Sequence, residues 1–143
     1  MVKVMRKAKI GIIDSNIYID LFRYGLYKDE LSEINKHFIV RNSSVVLLEL
    51  YTGALEREEE KVIAKMESHL GIINPTPSNW IESGRILNEF KRRYGFGYRK
   101  LRDLVNDTLI AMSARSYGAT VITNNGDDFE IIRKLKHFNL VVL

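Results

Sequence analysis

The residues Lys9-Ile10-Gly11-Ile12-Ile13-Asp14-Ser15-Asn16 constrain the fold more than any other stretch of the chain. The apolar run lacks the polar/apolar alternation of a strand with one wet face. It therefore predicts a strand buried on both sides, as in the middle of a parallel sheet. The run ends in an acid. Asp14 falls at the carboxyl end of the strand, and Ser15 and Asn16 follow as turn and helix-start residues. In open α/β sheets this edge is where ligands bind. A carboxylate placed there costs desolvation energy unless something pairs with it. Asp14 alone reads equally well as a simple helix cap. What favours a site is the number of other acids placed to reach the same edge.

The pattern repeats along the chain. Short apolar segments at 37–40, 72–74, 119–123 and 140–143 predict four more strands. Helices are predicted at 17–24, 26–36, 45–55, 56–69, 79–94 and 107–117, with a short helical turn before residue 136. Gly25, Gly71 and Gly118 supply stops, and Asn42, Ser43, Ser44, Ser78 and Asn106 are candidate N-caps. Trp80, Ile81, Ile86, Leu87 and Phe90 are core candidates of the longest helix, which Gly95 and Gly97 break. Strands alternating with helices predict an α/β fold, a mainly parallel sheet with helices on both faces joined by right-handed crossovers. No repeat or linker interrupts the 143 residues, so one domain spanning 1–143 is expected.

Composition narrows the function. With 45% hydrophobic and 28% charged residues the chain is of ordinary globular type. No apolar run approaches a membrane span. The basic start, residues 1–9, precedes an apolar stretch too short for a signal peptide, so a cytoplasmic protein is expected. The absence of cysteine excludes disulfides, thiolate metal sites and cysteine nucleophiles. A net charge of +4 favours a polyanionic partner.

Four acids are placed to converge. Asp14 ends the first strand, Glu49 lies early in the helix after the second, Asp107 starts the helix before the fourth, and Asp128 follows the fourth, with Asn125 nearby. In a sheet whose order reverses between strands one and four, these positions meet at one crevice. Two such charges about 5 Å apart at an effective dielectric near 20 repel by roughly 3 kcal/mol. A cluster of them calls for a hard divalent ion with oxygen ligands, Mg²⁺ or Mn²⁺. Such an ion activates water and neutralises phosphate. His37, His69 and His137 lie at element ends away from the acids and read as surface residues. Asp127 reads as solvated.

A second cluster bears on substrate. Arg92, Arg93, Arg99, Lys100 and Arg102, with Lys91, surround Tyr94, Phe96 and Tyr98 on a glycine-broken loop leading to Asp107. Cations interleaved with aromatics suit single-stranded nucleic acid, phosphates on the cations and bases on the rings. The plainer reading is a helix C-terminus with dipole-favoured cations and a glycine stop.

These residues resemble a known family. The stretch Ile13-Asp14-Ser15-Asn16-Ile17-Tyr18-Ile19-Asp20 looks like the opening motif of PIN-domain nucleases. The segment 43–54, with Glu49-Leu50 and Gly53-Ala54, resembles the second motif, Asn106-Asp107-Thr108-Leu109-Ile110-Ala111 the third, and Thr123-Asn124-Asn125-Gly126-Asp127-Asp128-Phe129 the fourth. Each is weak alone, but the four occur in family order across nearly the whole chain. The resemblance implies a three-layer α/β/α PIN-like fold around a sheet of four to five strands. A small protein of this kind is similar to the VapC toxins of toxin–antitoxin pairs. By that likeness Asp14, Glu49 and Asp107 would be metal ligands, Asp128 the fourth acid, and Asn125 would stand where many relatives have Asp. Ser15, Asn16 and Thr123 would support a ligand or the scissile phosphate. The implied activity is Mg²⁺- or Mn²⁺-dependent endonucleolytic hydrolysis of RNA, leaving a 5′-phosphate and a 3′-hydroxyl. A cognate antitoxin and a homodimer are implied partners. Two other readings stay open: a catalytically silent PIN-like module that binds RNA or protein, and a phosphatase of the haloacid-dehalogenase kind. The latter needs a general-acid Asp where this chain has Asn16.

Overall fold

A computed structural model describes residues 9–143, and the basic opening segment 1–8 lies outside the described residues. Strand β1 (Lys9–Ile13) is followed by α1 (Ser15–Tyr24), α2 (Lys28–His37), β2 (Phe38–Ser43), α3 (Ser44–Gly53) and α4 (Arg57–His69). The chain continues through β3 (Ile72–Ile73), α5 (Pro77–Tyr94), α6 (Tyr98–Asp103), α7 (Val105–Ser116), β4 (Thr120–Thr123), α8 (Gly126–Leu135) and β5 (Asn139–Val142). The strands form one five-stranded sheet in the order β3-β2-β1-β4-β5. All four pairings are parallel.

The order of the sheet locates the site. From β1 the chain moves outward through β2 to β3, then crosses to β4 and continues to β5. Right-handed crossovers therefore put α1–α4 on one face and α5–α8 on the other. The direction reverses between β1 and β4, so their carboxyl ends border the crevice where such sheets bind ligands. Burial on both faces explains the unbroken apolar strands: Ile12, Val121 and Ile122 have no exposed surface. At Gly11 there is no room for more, since a Cβ there would approach Phe38 and Ile122 to 3.1 Å.

Several local expectations are corrected. The longest helix starts two residues early. Thr76 is its cap, Pro77 opens the first turn, and Asn79 completes a capping box, accepting from the Thr76 N–H at 2.9 Å. Ser78 does not cap. Ile86 and Phe90 are buried as expected, but Trp80 and Ile81 are each 57% exposed. They lie outside the buried face of α5, which Asn79, Ser83, Ile86 and Phe90 form. Residue Asn106 is not a cap either. Helix α7 begins at Val105 with Leu104 as the boundary residue, so Asn106 falls inside the first turn. His37 ends α2 rather than opening β2, and the turn before residue 136 is a full ten-residue helix. The glycine-broken loop is shorter than expected, because 98–103 form α6. Gly95 does end α5, in the left-handed conformation at φ 64° that favours glycine.

A candidate active site at the β1/β4 edge

Asp14 is the N-cap of α1 and is almost completely buried. Its two oxygens have fixed neutral partners. Oδ1 accepts from the Ser15 backbone N–H at 2.8 Å, and Oδ2 accepts from the Thr123 hydroxyl at 2.8 Å. The second bond crosses from β1 to β4, and the Asp14 N–H also donates to the Ile122 carbonyl at 2.8 Å. Thr123 is fully buried, and its hydroxyl oxygen accepts the Asn125 N–H at 2.9 Å. One hydroxyl thus ties the first acid to the loop after β4. Asp14 is therefore both a helix cap and a member of the acidic edge.

Glu49 reaches the same edge from α3. It accepts a hydrogen bond from the Ser15 hydroxyl at 3.3 Å, and the Asn106 side chain lies near it. Its position follows from Ser43, whose hydroxyl accepts from the Val45 and Val46 N–H groups and so starts α3 directly at the end of β2. Asp107 comes from the first turn of α7, next to Asn106. Asp128 comes from the first turn of α8, where Lys100 of α6 lies 3.0 Å from its Oδ1. Asn125 Nδ2 is 3.5 Å from its Oδ2. Asp127 is exposed, as expected.

The acids sense one another. Burial, and then the nearby Asp14, push the Glu49 carboxyl above its ordinary range. Burial also raises Asp14, against the pull of Thr123 and Ser15. The largest effect falls on Asp107, pushed up to about 8 by burial and then by the charges of Asp14, Glu49 and Asp128, with Lys100 pulling back. Among the described residues no three acids are drawn together into a ready-made cation cage. Coulomb repulsion acts well beyond ligand distance, so the acids sense one another without touching. The donor set is all oxygen and anionic, which fits a hard divalent ion rather than zinc. The three histidines are exposed and stand outside it.

The remaining expected residues are placed unevenly. Asn16 is exposed on the first turn of α1. Arg92, Arg93, Arg99 and Arg102 are exposed, and Lys100 is half-buried. Arg93 pairs with Glu89 at 2.6 Å. Two of the three aromatics have a packing role: Tyr94 and Phe96 stack on each other and on Phe90, with ring centroids 5.6–5.9 Å apart. Tyr98 is different. It is 77% exposed and has Arg102 5.9 Å over its ring. Sequence reasoning treated Asn106 only as a cap and missed its place near Glu49. It also missed Asn124, whose amide donates to Asp20 at 3.1 Å and to the Tyr27 hydroxyl at 3.3 Å. The only prior signal for these was their place within the third and fourth motifs.

With this geometry in place, likeness to known proteins is informative. The PIN-domain family model matches residues 11–135. The chain belongs to the PIN-domain family, which sets the phosphatase reading aside. Among solved structures it is similar to a VapBC2 assembly from Rickettsia felis bound to a promoter DNA fragment: 25% identity, TM-score 0.70, covering 94% of this chain and 98% of that one. A DNA-bound VapBC from Salmonella typhimurium matches at 25% identity and TM-score 0.70, over 95% and 98% of the two chains. VapBC-1 from nontypeable Haemophilus influenzae matches in fold at 21% identity and TM-score 0.69, over 93% and 97%. The fold is thus that of a VapC-type PIN domain. No curated protein sequence matches the chain. No helix among the described residues is long and apolar enough to cross a membrane.

Proposed function

We propose that this chain is a divalent-metal-dependent endoribonuclease and the toxin of a VapC-type toxin–antitoxin pair. The observation that carries this reading is the gathering of Asp14, Glu49, Asp107 and Asp128 at the β1/β4 edge, near enough that Asp107 senses the charges of the other three. Asp14, Glu49 and Asp107 would hold Mg²⁺ or Mn²⁺, with Asp128 and Asn125 at the margin of the site. When bound, the ion supplies positive charge for a phosphate and lowers the pKa of water. The chain's own groups do the positioning. The Ser15 N–H and the Thr123 hydroxyl fix the rotation of the Asp14 carboxylate. The Ser15 hydroxyl orients Glu49, with the Asn106 side chain nearby. Asn16 is exposed beside them and available to a phosphate. Arg92, Arg93, Arg99 and Arg102, with Tyr98, would carry the RNA strand toward the edge, the cations on phosphates and the open ring under a base.

The likeness to solved VapBC assemblies supports a cognate antitoxin as partner. A homodimer and a cytoplasmic location complete the proposal and rest on the family likeness. The test is cleavage of a mixed RNA pool with Mg²⁺, Mn²⁺ or EDTA, wild type beside Asp14→Asn. The expected result is metal-dependent cutting with 5′-phosphate ends that the variant lacks. RNA that is bound but uncut under every metal would instead favour a silent binding module.

A further inference from the structure

The two sides of the acidic edge differ in charge compensation. Asp14 and Glu49 accept hydrogen bonds only from neutral groups, a backbone N–H and two hydroxyls. Asp128 is paired with an ammonium, Lys100 Nζ at 3.0 Å from Oδ1, while the Asn125 amide faces Oδ2 at 3.5 Å. Both oxygens of Asp128 thus have N–H donors. The pair joins α6 to α8 at this edge of the site. Asn125 is itself an uncharged residue where an acid would add one more negative ligand.

We propose that Lys100 is the built-in cation of this half of the site, standing where a second divalent ion would otherwise be held, so that the protein binds a single ion at Asp14, Glu49 and Asp107. This rests on the metal-dependent reading above and specifies its stoichiometry. The physical reason is that a divalent ion brought to Asp128 must displace the ammonium or lie beside it, and like charges at that separation repel strongly. Lysine suits the role. Its charge is compact and carried on a flexible four-carbon stem, so it can pair with Asp128 and also lean toward a phosphate. Lys100 therefore has a second role beyond the cationic track to which the sequence assigns it: it is a positioning residue of the acidic edge.

The test counts Mn²⁺ bound per chain by electron paramagnetic resonance of the free ion, with no RNA present. Wild type is expected to bind one ion, Lys100→Met two, and Lys100→Arg one, because the charge is retained. Equal counts in wild type and Lys100→Met overturn the role of Lys100, and so does a count of two in wild type. Binding of no ion by any of the three, with all of them folded by circular dichroism, overturns the metal reading itself. Asn125→Asp in the Lys100→Met background is expected to tighten the second ion. If it does not, the second site is not at Asp128.

Discussion

Asp14 and Asp128 flank the same edge, one after β1 and the other after β4, yet their carboxylates are satisfied in opposite ways. Asp14 is buried behind a hydroxyl and a peptide N–H, which fix its direction but cannot cancel its charge. Asp128 is partly exposed and carries its own ammonium partner. The difference teaches that hydrogen bonding and charge neutralisation are separate requirements. Neutral donors hold a carboxylate in place. A proton or a cation relieves the field that such groups build, and the groups that donate to Asp14 and Glu49 are neutral.

The sharpest way to break the comparison is to neutralise each half in turn. Asp107→Asn is expected to lower RNA cleavage by roughly 10²–10³, the usual scale for losing a group that stabilises reacting charge. Asp128→Asn is expected to cost clearly less, because its partner Lys100 remains. Single-turnover cleavage at saturating Mg²⁺ measures both, and equal losses would mean that the halves do not differ.

Stability against pH probes the same contrast without substrate. The Asp107 carboxyl, ordinarily near 3.8, sits near 8 in the folded chain. Between those values the folded protein keeps a proton that the unfolded chain has released. Stability should therefore fall as pH rises through this window and level off above about 8. A tenfold change in proton affinity between the folded and unfolded states corresponds to about 1.4 kcal/mol, so the loss amounts to a few kcal/mol. The raised carboxyls of Asp14 and Glu49 act in the same direction. Thermal melts in EDTA from about pH 5 to about pH 8.5 should show the decline. Asp107→Asn, or millimolar Mg²⁺, should flatten it.

Thr123→Val tests the neutral bracing. It removes the hydroxyl that donates to Asp14 and accepts from Asn125, leaving two partners unsatisfied. The expected cost is roughly 1–3 kcal/mol of stability by urea unfolding. Metal affinity by calorimetry should weaken about 10–100-fold, as when a ligand loses its orienting partner. The smallest effect is expected at the rim. Arg99→Ala should leave the fold intact and reduce the salt slope of single-stranded RNA binding by about 0.7, the loss of one phosphate contact. Fluorescence anisotropy across a salt series reads it.

The chain itself determined the elements that depend on neighbours in sequence. The apolar run before Asp14, the Ser43 cap and the glycine after Tyr94 encode β1, the start of α3 and the end of α5 by local sterics and hydrogen bonding. The alternation of such elements implied a mainly parallel sheet with helices on both faces; that its order reverses between β1 and β4, and hence which acids share an edge, is set by the strand pairing. Positions decided by packing were harder to read. Trp80 looks like core by composition but lies outside the packed face of α5, whereas Phe96 and Tyr94 look like a binding platform but stack on Phe90. Asn106 reads locally as a cap, and its role emerges only when α3 brings Glu49 beside it. The pairing of Lys100 with Asp128, 28 residues apart, depends on α6 folding as a helix and turning toward α8. Sequence supplied the charges and their order. Tertiary structure decided which were left uncompensated, because that depends on distance and burial rather than on spacing along the chain.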